Sequence, residues 1–303
     1  MPVRIVQSKQ NARLKELRKV LASPPRDSAP IRSPSRGGLV LAGPVLKGSA
    51  PAGSVLAGIE GPNLLEEALR ARIRVSCVFV AQGFESLLAP LHLPPETEVL
   101  LLPRDLLDSA LTTETPQPIA ALVEIPDWTW AHLLGGQNNP SPLVLVLAGL
   151  QDPGNLGTIL RSAEAFGATG ILTLPGTVSP WNPKAMRASA GSVFRLPQLA
   201  ASAINSIDRL RQAGLRIFTT TAGAAEPVNL VDLSCPVALL IGNEGNGVPK
   251  PLSAMADGAL TIPCPGPVES LNAAVAASVL LYEASRQRAL RAGDTTSLRG
   301  GPR

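Results

Sequence analysis

Residues 143–174 read LVLVLAGLQDPGNLGTILRSAEAFGATGILTL. The first seven are almost wholly apolar, the mark of a strand buried on both faces. Asp152, Pro153, Gly154 and Asn155 form a turn. Beyond it Leu156, Ile159, Leu160 and Ala163 fall at i, i+3, i+4 and i+7, which predicts a helix over 155–166 with one core-facing stripe. A second strand follows at 169–174. Strand, helix and strand in this order make the unit of a parallel sheet. One feature is unusual. Asn155, Thr158, Arg161 and Ser162 line the other side of the helix, either as a solvated face or as the face of a site.

The alternation continues downstream. Helices are predicted at 182–190, 201–214 and 270–291, and strands at 215–221, 236–242 and 258–263. Together they give an α/β domain over 143–292, its parallel sheet covered on both faces. Upstream, strands at 53–61, 75–81, 98–103 and 118–125 alternate with helices at 63–71 and 104–111, Pro62 suiting a helix start. This is a smaller α/β domain spanning 37–125. The stretch between them, 126–142, reads as a linker, with Trp128 and Trp130 either docking the domains or packing the linker. Residues 1–36 read as a basic helix (9–21) and a flexible Pro/Ser/Arg-rich arm, and 293–303 as a disordered tail.

Composition narrows the class. At 303 residues and 45% hydrophobic the chain can bury a large core. Cys77, Cys235 and Cys264 form no CxxC pair, and an odd count argues against a disulfide framework or zinc site. His92 and His132 lie far from them, so no metal is expected. The N-terminal MPVRIVQSKQNARLK has no apolar signal core, and no apolar run reaches the roughly 20 residues of a membrane span. A soluble cytoplasmic protein is the expectation. Charge is uneven: residues 1–36 carry nine basic and two acidic groups, a net +7, which leaves −3 on the remainder of a chain of net +4. A basic arm on a near-neutral body points to a polyanion.

In open α/β sheets ligands bind beyond the carboxyl ends of the strands. Four segments there stand out: DPGNLGTILR (152–161), TTTAGA (219–224), IGNEGNGVP (241–249) and IPCPGPVESLNAAVAAS (262–278). The third has glycines at 242, 245 and 247 but neither Gly-Lys-Ser/Thr nor G-x-G-x-x-G, which argues against ATP and Rossmann-type NAD sites. Its glycines allow close backbone approach. Glu244 within it either caps a helix or addresses a cationic or hydroxyl-bearing group. Ser270 is a plausible N-cap for the last helix. Lys184, Arg187, Ser189 and Ser192, in 181–197, suit phosphate and ribose contacts, or belong to a solvated amphipathic helix.

Three of these motifs in order, NLGTILRSAEAFGA, IGNEGNGVP and IPCPGPVESLNAAVAASVLLYE, resemble the SpoU/TrmH family of RNA ribose 2′-O-methyltransferases in the SPOUT superfamily, over about 143–290. SKQNARLKELRKVL and GIEGPNLLEEALRARI resemble that family's substrate-binding domain; the stretch from Pro24 to Ala52 is enlarged relative to it. The resemblance implies a C-terminal parallel-sheet domain with a trefoil knot, a device otherwise almost absent from proteins. A small ribosomal-protein-like α/β domain would precede it and bind RNA. The resemblance further implies S-adenosylmethionine held largely by main chain at Thr220, Gly242, Ile262 and Leu271, and a homodimer whose sites use both chains. The catalytic residues it implies are Asn155, Arg161, Glu244, Ser270 and Asn272, with Asn155 and Glu244 orienting the Arg161 guanidinium. Arg161 would be a base or an electrostatic stabiliser. RNA contacts are expected at Lys9, Arg13, Lys15, Lys184 and Arg187. Large-subunit rRNA is the expected substrate; tRNA, an inactive RNA-binding or ribosome-assembly protein of the same fold, and a small-molecule or base methyltransferase are the alternatives.

Overall fold

A computed structural model describes residues 3–25, 55–136, 139, 141–223, 225–268 and 270–293. The elements run β1 (Val3–Ile5), α1 (Ala12–Ala22), β2 (Leu56–Glu60), α2 (Pro62–Arg70), β3 (Val75–Ala81), β4 (Glu98–Leu102), α3 (Arg104–Asp108) and β5 (Ile119–Glu124). Then come α4 (Trp130–Leu133), β6 (Leu143–Leu147), α5 (Pro153–Ala165), β7 (Gly170–Thr173), α6 (Pro183–Ser189), β8 (Gln198–Ala200) and α7 (Ala203–Gln212). The chain ends with β9 (Arg216–Thr220), β10 (Glu226–Pro227), β11 (Val237–Ile241), α8 (Lys250–Ser253), β12 (Gly258–Thr261) and α9 (Ala273–Arg291). The described residues divide into two compact units: those up to Asp127 together with Trp181–Phe194, and Trp128–Pro180 together with those from Arg195 on.

The first unit holds a five-stranded sheet in the order β1-β4-β3-β5-β2. β5 runs antiparallel to β2 and β3; the other pairs are parallel. Leu14, Leu17 and Leu21 of α1, at i, i+3 and i+7, are buried with Leu106 and Leu107 of α3 against Cys77, Phe79, Leu100 and Leu102. The basic helix is therefore part of the core. Gly58 on β2 makes room for it: a Cβ there would lie 2.9 Å from the side chain of Leu21. Asn11 caps α1 by accepting from the amides of Arg13 and Leu14. The expected arm beyond Pro25, most of the enlarged stretch and the tail from 294 lie outside the described residues.

The second unit holds a seven-stranded parallel sheet among the described residues, ordered β10-β12-β9-β11-β6-β7-β8. β6 and β11, wholly apolar in sequence, are wholly buried at its centre. α5 starts two residues before its predicted position. Pro153 takes N1, and Asp152 caps it by accepting from the amide of Asn155 at 2.8 Å. The stretch expected as a linker contains α4, whose Leu133 is fully buried, and Trp128 and Trp130 rest against the core of this same unit. The two tryptophans thus pack locally. α9 is capped by Asn272, whose Oδ1 accepts from the amides of Ala274 and Val275 at 2.9 and 3.2 Å. Ser270, the expected cap, lies two residues too early.

Arg288 is one of the side chains that fix α9 to this unit. The Arg288 guanidinium donates to the carbonyls of Leu233 (3.1 Å), Cys235 (2.7 Å) and Ser141. Burial holds its pKa below the usual arginine value. Arg288→Ala would leave these carbonyls without their donor, at a cost of about 3 kcal/mol. Thermal unfolding should show a midpoint fall of several degrees. Arg288→Lys should recover little, because an ammonium cannot span carbonyls in a fork.

Candidate active site

The carboxyl ends of β9, β11 and β12 open onto a single cavity of about 680 Å³. Parallel strands direct all three connecting loops to the same edge of the sheet, which is why the cavity forms there. Thr220 closes one side, its hydroxyl bonded to the carbonyl of Leu240 at 2.8 Å. Gly242, Ile262 and Leu271 line it from the other two loops. These four, expected to hold a cofactor by main chain, are thereby brought together.

Glu244 and Ser270 also line the cavity. At its rim three side chains from three loops are linked. The Asn155 amide donates to Glu244 Oε1 at 2.9 Å, and the Asn272 amide donates to Asn155 Oδ1 at 3.0 Å. Each reaches the rim for a local reason. Asn155 sits in the first turn of α5, Asn272 caps α9, and Glu244 sits in a glycine-rich turn closed by paired backbone bonds between Asn243 and Gly247, at 3.1 and 2.9 Å. Gly247 has φ +66°, the left-handed conformation that favours glycine.

Arg161 is not in this cluster. It is exposed on α5, and among the described residues no hydrogen bond or ion pair engages its guanidinium. The expected orientation of Arg161 by Asn155 and Glu244 is therefore absent within one chain, because those two groups bond to each other. The basic residues expected to touch RNA lie in the first unit. Lys9 and Lys15 are exposed, as are Lys184 and Arg187 on α6. Arg13 is tied to Glu16 at 3.0 Å and Glu98 at 3.4 Å. Ser189 and Ser192 are buried, and the Ser189 hydroxyl donates to the carbonyl of Met186, so neither faces a phosphate. Among the described residues no cluster of His, Cys, Asp and Glu could hold a metal ion, and no helix is long and apolar enough to cross a membrane.

Asn243 is the residue the sequence reading missed. Its Oδ1 accepts from the amides of Gly245 and Asn246, and its amide donates to the carbonyl of Gly149 at 2.8 Å. The signal was the Asn-x-Gly-Asn-Gly pattern, which favours an Asx turn.

Comparison with known proteins identifies the family. The model of the SpoU rRNA Methylase family matches residues 142–282, and that for RNA 2′-O ribose methyltransferase substrate binding matches 59–129. The 23S rRNA (guanosine(2553)-2′-O)-methyltransferase RlmP of Bacillus subtilis is 34% identical over 224 residues, covering 74% of this chain and 86% of that protein. A crystal structure of an RNA 2′-O ribose methyltransferase superposes with a TM-score of 0.70 at 31% identity, covering 94% of this chain and 99% of that one. The methyltransferase AviRb of Streptomyces viridochromogenes, crystallised with AdoMet, superposes with a TM-score of 0.70 at 26% identity, covering 92% and 98%.

Proposed function

The chain belongs to the SpoU rRNA methylase family, and from that premise we propose that it is an S-adenosylmethionine-dependent methyltransferase acting on a ribose 2′-hydroxyl of large-subunit rRNA. The observation that carries this reading is the Glu244–Asn155–Asn272 chain of hydrogen bonds at the mouth of the strand-end cavity.

The cavity suits the cofactor. Its volume falls within the usual range for small-ligand sites, about 300–1,000 Å³, and its wall mixes threonine hydroxyls and exposed main chain with Leu260, Leu271 and Leu280. Main chain at Thr220, Gly242, Ile262 and Leu271 would hold it. When bound, S-adenosylmethionine supplies an electrophilic methyl group on a sulfonium. The protein's part is to orient the ribose and favour the alkoxide of a weakly acidic hydroxyl. Asn155, Ser270 and Asn272 present hydrogen-bonding groups to ribose and phosphate. The Arg161 guanidinium stabilises the developing negative charge.

Arg161 reaches that position from a second copy. Val275, Val279 and Tyr282 form an apolar stripe on α9, 50%, 37% and 52% exposed. α5 packs beside it through Ser162 and Ser278, 2.7 Å apart, and the edge-on rings of Phe166 and Tyr282, and presents Thr158 and Arg161 outward. A homodimer would cover this stripe and bring Arg161 of the partner subunit to the cluster. The trefoil knot belongs to the same reading, supported by the way the loops after β9, β11 and β12 all line one cavity. Exposed Lys9, Lys15, Lys184 and Arg187 supply phosphate contacts from the first unit. rRNA as substrate places the enzyme in the cytoplasm.

The test is transfer from radiolabelled S-adenosylmethionine to unmodified total RNA and to precursor ribosomal particles, separated by size. Label in the large rRNA is the expected result. Label confined to tRNA would overturn the substrate, and label in no fraction would overturn the activity.

A further inference from the structure

Asn243 lines the cavity without joining the hydrogen-bonded chain at its rim, and its side chain bonds on one side to the loop carrying Glu244 and on the other to the connection that precedes Asn155. On one side its Oδ1 takes the amides of Gly245 (2.9 Å) and Asn246 (3.3 Å), which fixes the three-residue tip from inside. On the other its Nδ2 reaches the carbonyl of Gly149 at 2.8 Å. Gly149 lies between the end of β6 and the Asp152 cap of α5, and it is itself fixed. Its φ is +74°, and its amide donates to the Thr177 hydroxyl at 3.0 Å. That hydroxyl in turn donates to the carbonyl of Leu147 at 2.9 Å. One side chain thus ties the loop carrying Glu244 to the connection that leads into the helix carrying Asn155.

We propose that Asn243 is a positioning residue, which sets the distance between Glu244 and Asn155 by clamping the Glu244 loop to Gly149. The inference rests on the reading of Glu244 as a catalytic residue. Geometry gives the reason. The Glu244 carboxylate is exposed at the tip of a short glycine-rich turn, and the backbone bonds between Asn243 and Gly247 close that turn without tying it to α5. A site that must hold its groups to about 0.5 Å needs such a support.

Two substitutions separate the clamp from the turn. Asn243→Ala removes both. Asn243→Asp keeps an acceptor for the amides of Gly245 and Asn246 but turns the donor toward Gly149 into a second acceptor, so the clamp alone is lost. The experiment measures kcat and KM for RNA in Asn243→Ala, Asn243→Asp, Glu244→Ala and the double variant Asn243→Ala/Glu244→Ala. Hydrogen exchange at residues 245–247 is followed in the same proteins. Both Asn243 variants should lose kcat by about 10- to 100-fold with KM nearly unchanged. Exchange should accelerate in Asn243→Ala and stay close to wild type in Asn243→Asp. The double variant should be no slower than Glu244→Ala, since a residue acting through another adds nothing once that other is gone. Losses that multiply in the double variant, or an Asn243→Asp enzyme with wild-type kcat, would overturn the inference. A Glu244→Ala enzyme with wild-type kcat would instead remove Glu244 from catalysis and the inference with it. Should Asn243→Ala fail to fold, Asn243→Asp with Glu244→Ala carries the same cycle.

Discussion

Arg161→Ala is expected to keep its fold and its affinity for S-adenosylmethionine while losing methyl transfer by about 10³-fold, the scale on which a preorganised charge acts on a developing anion. The structure makes this separation possible. Arg161 is exposed on α5 and engages no group of its own chain among the described residues, so its removal leaves no unpaired partner behind. In the proposed homodimer it would act at the partner subunit's site. Co-expression with Glu244→Ala tests that directly. In a twofold dimer of randomly paired chains half the molecules are mixed, and each mixed dimer has one site with both wild-type groups, so about a quarter of wild-type activity should return. If Arg161 serves the site of its own chain, no mixed site is intact and the co-expressed pair stays silent. Turnover near wild type in Arg161→Ala alone would remove the residue from the mechanism.

Asn155, Glu244 and Asn272 were legible in the sequence because each stands out against its surroundings: an asparagine at a helix start, a carboxylate among glycines, an asparagine before an alanine-rich helix. Their mutual bonding was not, since it depends on where three strands end. The central strands β6 and β11 were plain from unbroken apolar runs, which only a doubly covered parallel strand tolerates. β1 and β8 span three residues each, too few for any period to register. Ser270 and Asn272 are both good caps, and the chain's path past Leu271 chose between them. Ser189 and Ser192 resembled phosphate ligands by type. Their burial follows from packing around α6 that residue spacing does not encode. α4 was hidden because four residues between Trp128 and Gly135 carry too little pattern to rise above the Gly/Asn/Pro-rich stretch around them.

Gly242→Ala should abolish S-adenosylmethionine binding, lowering affinity by 100-fold or more, and destabilise the second unit by about 3 kcal/mol or more. Backbone conformation is not the reason, because the φ of Gly242 lies outside the left-handed region. Left to conformational entropy alone, the substitution would stabilise by about 0.4–1 kcal/mol. Space decides the outcome. A Cβ would lie 2.0 Å from the carbonyl carbon of Gly247, 2.1 Å from the nitrogen of Val248 and 2.3 Å from the oxygen of Gly247. Those atoms are main chain, and the paired bonds between Asn243 and Gly247 prevent them from moving aside alone. Relief would require the whole turn to open. That would carry away the wall of the cavity and the Glu244 carboxylate together. Gly223 supplies the control. It lines the same cavity, and the nearest atom to its Cβ would be the Thr221 hydroxyl at 3.6 Å, an ordinary contact. Gly223→Ala should therefore bind S-adenosylmethionine within a few-fold of wild type. Isothermal titration and thermal unfolding of the two variants side by side make the check. Near-wild-type binding by Gly242→Ala would mean that the turn yields easily, and that neither the cavity nor the cluster at its rim depends on the close approach of these two backbone segments.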